Sequence, residues 1–261
     1  KSYDQVSPRL ALVYSPSAAL SLKLQSSTAF RAPTPAELFG SNTWMLASNL
    51  EALRPERVVT HEFTADWTVT PRLNWRGTLF HSAYSNLIGY SDANLPSNLF
   101  SRTTAGLEAE LLGEMDFGAR GRLTAMGSYT YVRLLSEKDG NGGQVASPGQ
   151  LTWAPEHLAR AGVSYGLKGF ILSLQGRYQG TVQRRASDRV TPDFLAARPP
   201  AVPAWVRFDV NARYQLNDWT TLGVKVSNLL DAESYLVKIG DFPFDYRMEG
   251  RRLFGNLELK L

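Results

Sequence analysis

The chain has 261 residues, 43% of them hydrophobic and 11% aromatic, with 28 Lys and Arg against 24 Asp and Glu, a net charge of +4 and no cysteine. The lack of cysteine excludes disulfide frameworks, thiolate metal centres and cysteine nucleophiles within it. The basic residues are scattered, the densest groups being dyads such as Arg184-Arg185 and Arg251-Arg252, which excludes the basic stripe of a nucleic-acid-binding protein.

Alternation of apolar and polar residues, the period of a strand, predicts about eleven strands near 9–15, 18–29, 57–69, 72–90, 97–112, 119–135, 156–167, 170–183, 204–215, 219–230 and 250–261. In the third, Val59, His61, Phe63, Ala65, Trp67 and Val69 share one face, opposite Thr60, Glu62, Thr64, Asp66 and Thr68. In the sixth, Leu123, Ala125, Tyr129 and Tyr131 oppose Arg122, Thr124, Ser128 and Thr130. In the ninth, Val206, Phe208, Val210, Ala212 and Tyr214 oppose Arg207, Asp209, Asn211 and Arg213. The last sets Leu253, Leu257, Leu259 and Leu261 against Arg252, Asn256, Glu258 and Lys260.

The connections come in two kinds that alternate. Short ones, such as Ser15-Pro16-Ser17, Thr70-Pro71, Leu167-Lys168-Gly169 and Leu216-Asn217-Asp218, carry the residues of tight turns. Long ones run over roughly 30–56, 91–96, 136–155, 184–203 and 231–249, the second being modest. Strands with one oily and one ionic face, joined by alternating short turns and long loops, have the layout of an outer-membrane β-barrel: lipid takes the oily face, a wet lumen the ionic one, and the short turns face the periplasm. Mean hydropathy is only −0.23, but a barrel strand shows lipid half its residues, and no run approaches the roughly 18 apolar residues of a spanning helix. A soluble sandwich is the competing fold, but charges on its inner face would be costly unless paired.

An odd strand count, and an opening at Lys1-Ser2-Tyr3-Asp4 without Met or leader, give the expectation that the chain is the C-terminal part of a larger barrel. Open sheet edges do not survive in lipid, so the segment is expected to complete a bigger sheet or to close into a smaller one.

Several chemical motifs reduce to structure. Gly162-Val163-Ser164-Tyr165-Gly166 has the spacing of a hydrolase elbow, which needs a strand, a sharp turn at the serine and a helix; here the serine lies inside an alternating strand. Asp139-Gly140-Asn141-Gly142-Gly143 opens like a calcium loop but has Gln150 where the bidentate glutamate belongs, and reads as a surface loop. His61, His81 and His157 show no metal-ligand spacing. The reading is of a protein without catalytic residues, metal site or cofactor.

Phe30-Arg31-Ala32-Pro33-Thr34, with Glu37-Leu38-Phe39, resembles the "FRAPT…EL(Y/F)" signature of TonB-dependent outer-membrane receptors. Asn49-Leu50 and Leu53-Arg54-Pro55-Glu56-Arg57 resemble that family's "NPNLKPE" element, with the Asn-Leu displaced by two residues, and Thr60-His61-Glu62 opens the following strand. Ser85-Asn86-Leu87-Ile88, Gly106-Leu107-Glu108-Ala109-Glu110, Tyr129-Thr130-Tyr131 and Ala154-Pro155-Glu156-His157 resemble later elements in the family's order. Val226-Ser227-Asn228-Leu229-Leu230-Asp231-Ala232 with Tyr235 resembles "V-x-N-L-F-D-x-x-Y", and Gly250-Arg251 the "GR" before the last strand. The end at Leu261 departs from the usual terminal aromatic residue.

The resemblance implies an all-β fold, residues 1–261 forming the C-terminal segment of a transmembrane antiparallel barrel of about 22 strands, in the outer membrane of a Gram-negative bacterium. It implies uptake of a scarce nutrient, a ferric siderophore first and haem or cobalamin next. The implied partners are outer-membrane lipid, an N-terminal plug and the other part of the barrel, the TonB complex through that other part, and a small-molecule ligand such as a metal chelate. An autonomous small barrel, acting as a passive pore or surface-binding protein, is the alternative. Arg31, Pro33, Glu37, Pro55 and Glu56 are expected to position loops. Ligand contacts are expected from aromatic and cationic residues of the long loops and upper lumen, the strand map placing Trp44, Tyr90, Arg133, Arg184 and Arg185 there.

Overall fold

The computed structural model describes residues 4–39, 53–90, 96–146, 149, 151–184, 199–238 and 244–260. Eleven long strands follow one another in a single sheet in the order of the sequence. They are β1 (Arg9–Ser17), β2 (Leu20–Arg31), β3 (Glu56–Thr70), β4 (Leu73–Tyr90), β5 (Pro96–Asp116), β6 (Arg122–Asp139), β8 (His157–Leu167), β9 (Phe170–Gln179), β12 (Trp205–Gln215), β13 (Thr220–Ser227) and β16 (Arg252–Leu259). The eleven expected segments are these eleven strands. The long connections add structure that alternation does not reveal: a five-residue helix α1 (Pro35–Phe39), a short strand β7 (Gln144–Ala146) against β6, a ribbon of β10 (Val182–Gln183) and β11 (Ala201–Val202), and another of β14 (Tyr235–Leu236) and β15 (Tyr246–Arg247). By contact density the chain groups into two units, one of residues 1–65, 78–107 and 133–149 and the other of 66–77, 108–132 and 150–261.

The register of the second unit turns the alternation into two faces. Leu123, Tyr165, Leu172, Ala212, Val224 and Gly255 stand opposite one another across six successive strands. One residue along, Thr124, Ser164, Ser173, Asn211 and Lys225 form the next row, on the other side of the pleat. Leu172 is 42% exposed and Val224 49%, whereas the buried hydrophobic residues among those described are only Leu53, Leu134, Leu151, Val182 and Val202. A soluble sandwich would invert this distribution, hiding its apolar rows in a core. Here those rows face outward, where only lipid stabilises them.

The short turns follow from their residues. In the β8–β9 hairpin Lys168 and Gly169 have φ of 44° and 82°, the paired positive values of the turn whose twist matches its strands. The β5–β6 turn is held by the Asp116 carboxylate, which accepts the Gly118 N–H at 2.8 Å. In the β12–β13 turn Asn217 Oδ1 accepts the Trp219 N–H at 3.0 Å.

An arginine on the outward face at Leu172 should reduce folding into lipid bilayers by about 2–4 kcal/mol. The neighbouring Ser173→Arg should change it by less than about 0.5 kcal/mol. Urea titration of the protein in vesicles checks both.

Candidate functional site

Three side-chain assemblies at the long-loop ends of the strands use most of the motif residues. The first lies where β2 leaves the sheet. Thr34 caps α1: its Oγ1 accepts the Glu37 N–H at 3.3 Å, and Glu37 Oε2 accepts the Thr34 N–H at 2.6 Å. This reciprocal pair is a capping box, with Pro35 at the first helical position where a missing N–H costs nothing. Glu37 also receives both Nη atoms of Arg31 at 3.0 Å, while Arg31 Nε donates to Glu56 Oε2 at 2.6 Å. The other Glu56 oxygen accepts the Ile88 N–H of β4 at 2.8 Å. One guanidinium therefore joins the exit of β2, the cap of α1 and the entry of β3; nearby in sequence Pro33 is buried and Phe30 and Ala32 are exposed. Asn98 of β5 completes the bracing. Its amide exchanges hydrogen bonds with the backbone N–H and C=O of Arg54 at 2.8 and 2.9 Å and donates to Asn86 C=O at 2.6 Å, beside Pro55 and the buried Leu53.

The second assembly ends β13. Asn228 is fully buried with φ 52°. Its side chain accepts the Ala232 N–H at 2.9 Å and donates to Ala232 C=O at 3.0 Å, so the amide closes the turn as a second backbone strand would. Asp231, also left-handed at φ 52°, accepts the Arg251 N–H at 2.6 Å. A Cβ on Gly250 would lie 3.0 Å from the same carboxylate, so the glycine lets the start of β16 reach Asp231. Leu229 stays on the surface.

The third assembly is a row of arginines. Ser128, Arg160, Arg177 and Arg207 face one another across β6, β8, β9 and β12 on the polar side, near the long-loop ends. Like charges directly opposite are unfavourable, and the fold offsets two of the three. Arg177 pairs with Asp209 at 2.7 Å, whose other oxygen accepts the Asn228 N–H at 2.8 Å. Arg207 is buried, donating to Glu249 C=O at 2.9 Å and to Ser234 Oγ at 3.4 Å. Arg160 is exposed and makes no ion pair with the described residues. A wall with one uncommitted guanidinium and one half-exposed neighbour can take an anionic group through charge-assisted, bidentate hydrogen bonds.

The residues named from sequence for ligand contact are not brought together. Arg184 is buried, its Nε donating to Pro199 C=O at 3.0 Å and its terminal nitrogen pairing with Asp245. Arg133 is exposed on β6. Trp44 and Arg185 lie outside the described residues, as does the side chain of Tyr90 at the end of β4. Ser164 sits mid-strand with its hydroxyl 2.8 Å from that of Ser173. Asp139 accepts the N–H groups of Asn141 and Gly143 at 2.9 and 2.7 Å, closing the glycine-rich turn with its own carboxylate. Among the described residues no three His, Asp or Glu converge as metal ligands. Sequence reading missed the joint role of Arg160, Arg177 and Arg207, and missed Asp209 and Asn98 as braces; the signal available was their shared parity on the polar face.

Burial works to raise the Glu37 carboxyl, but hydrogen bonds from Arg31 and from the Thr34 amide and hydroxyl hold it below its ordinary 4.5. With the folded value below the unfolded one, the stabilisation is complete above the unfolded value and disappears as pH falls through the folded one. Amide protection at 34 and 36–38, after correction for the intrinsic pH dependence of exchange, should fall on acidification below the carboxylate range, and Glu37→Gln should diminish that pH dependence. Asn228→Gly should cost about 1–3 kcal/mol for the groups left unpaired. Asn228→Ala should cost about 1–2 kcal/mol more for a Cβ at positive φ. Denaturant midpoints separate the two.

No curated protein sequence matches the chain. Its fold is similar to the ferric-catecholate import receptor Fiu from K12 E. coli, with TM-score 0.74 and 19% identity over 96% of this chain and 34% of that one. It is similar also to the ferripyoverdine receptor of Pseudomonas aeruginosa, with TM-score 0.73 and 20% identity over 97% and 32%, and to the siderophore receptor PiuA from Acinetobacter baumannii, with TM-score 0.72 and 20% identity over 96% and 35%. The chain thus spans about a third of the length of these receptors. Residues 1–229 match the family model described as TonB dependent receptor-like, beta-barrel, a family of Gram-negative outer-membrane receptors and transporters rather than enzymes. With its sheet order, outward apolar rows and loop-end motifs, the chain belongs to the TonB-dependent receptor β-barrel family.

Proposed function

We propose that the chain is the C-terminal wall of a receptor that imports a scarce metal chelate, a ferric siderophore, with energy from the TonB complex. The observation that carries this reading is the row Arg160, Arg177 and Arg207 on the polar face near the long loops. Ferric catecholate and hydroxamate chelates offer negatively charged or strongly accepting oxygens, and a row of guanidiniums is matched to them in charge and geometry. The names of the structural neighbours agree with that chemistry: two are a ferric-catecholate and a ferripyoverdine receptor, another a copper transporter. Iron is then cargo inside the chelate, not a resident cofactor. A plug and the rest of the barrel supply the gate, and this segment supplies ligand contacts.

Deleting the gene that encodes the chain and measuring radioactive iron uptake from a panel of ferric catecholates and pyoverdines is the test. Uptake of at least one chelate should fall to background, and a proton-motive uncoupler should abolish it in the intact strain. Arg160→Gln should weaken binding of that chelate by roughly 10- to 100-fold, equivalent to about 1.5–3 kcal/mol for one charged hydrogen bond. Unchanged uptake of every ferric chelate on deletion would overturn the reading; uptake insensitive to the uncoupler would instead identify a passive pore.

A further inference from the structure

The outward apolar face carries a depression near the short-turn end. Gly113 of β5 and Ala125 and Gly127 of β6 form its floor, where side chains are smallest, and Leu73, Leu111 and Met115 stand around it. The cavity is about 490 Å³, within the roughly 300–1,000 Å³ typical of pockets that hold a small molecule. It lies on the side of the sheet that meets lipid, so its natural content is hydrocarbon.

Two further observations specify which hydrocarbon. Trp67 of β3 and Trp75 of β4 are exposed on the same outward face, 47% and 37%, close to the turn between them. Tryptophan at such a position marks the level of lipid headgroups. At that level Arg72, the exposed turn residue between β3 and β4, lines the mouth of the cavity. Its backbone C=O accepts the Glu114 N–H at 2.9 Å, but its guanidinium makes no salt bridge among the described residues. Glu114, which also lines the cavity, and Asp116 each take their direct ion-pair contact from Arg122 at 3.4 Å, not from Arg72. An apolar groove thus begins at headgroup depth beside an exposed guanidinium that has no direct ion-pair partner among the described residues and whose charge acts on Asp116 only through space.

We propose that this groove binds one glycerophospholipid of the periplasmic leaflet, one acyl chain lying over Gly113, Ala125 and Gly127 and the phosphate meeting Arg72. The leaflet follows from the position at the short turns, which face the periplasm in barrels of this kind. The groove removes apolar surface of the chain from contact with mobile lipid, and the guanidinium adds a charge-assisted hydrogen bond that a passing lipid elsewhere on the wall lacks.

Native mass spectrometry of the protein purified from outer membranes in mild detergent, before and after adding phosphatidylglycerol or phosphatidylethanolamine, tests this. The protein should retain one phospholipid. Gly127→Leu should cut retention at least tenfold: a Cβ there finds its nearest heavy atom 3.9 Å away, so the new side chain enters the groove without displacing backbone. Arg72→Gln, an exposed turn substitution that leaves the apolar wall intact, should lower retention of phosphatidylglycerol several-fold. Val224→Phe, outward-facing but away from the groove, should retain lipid as the parent does. Gel mobility before and after heating verifies that each variant is folded. No retained phospholipid in the parent, equal retention in folded Gly127→Leu, or equal loss in Val224→Phe would overturn the proposal.

Discussion

In hydrocarbon there is no water to satisfy a peptide group, so every N–H and C=O of a spanning segment must find its partner inside the protein. A β-sheet meets that demand only through neighbouring strands, and the rest of this structure follows from it. Strands must be long and paired in sequence order, as the eleven here are. Their side chains then divide by parity, Leu172 and Val224 to lipid, Ser173 and Lys225 to the opposite side. Stability comes from the ladder and from the surrounding medium rather than from a core, which is why so few of the described hydrophobic residues are buried.

Where the strands leave the sheet, the same demand is met by side chains. Asn98 pairs with the backbone of Arg54, Asn228 with that of Ala232, and Asp231 with the N–H of Arg251. Each replaces ladder hydrogen bonds that the diverging chain can no longer make, and each lies at or beside a positive-φ residue or a glycine where the path bends. The ionic cluster of Arg31, Glu37 and Glu56 works alongside them, tying two strand ends and a helix cap through one planar group.

The sheet was legible in the sequence because parity is a strong, local signal repeated many times: Val59 to Val69, or Val206 to Tyr214, could be read one residue at a time. The same alternation hid what the loops contain. The ribbon of Val182–Gln183 with Ala201–Val202 pairs residues across a long connection, and two-residue strands carry no period. Motif resemblance pointed to Arg31, Glu37, Glu56, Asn228 and Asp231, yet not to Asn98 or Asp209, whose partners are set by register between strands distant in sequence. The Arg160, Arg177 and Arg207 row illustrates this: each residue was visible as polar-facing, but their alignment exists only once four strands are in register. Arg184 illustrates the opposite failure, since a cation in a long loop reads as available until Asp245, 61 positions away, is found against it.

Asp209 holds Arg177 with one oxygen and the backbone of Asn228 with the other. A carboxylate shared in this way makes the two contacts compete for the same charge. An anion engaging Arg177 would share that guanidinium with Asp209, whose other oxygen still accepts the Asn228 N–H. The inner wall and the turn that begins the last long connection therefore share a single side chain. The joint between wall and turn thus rests on one acidic residue.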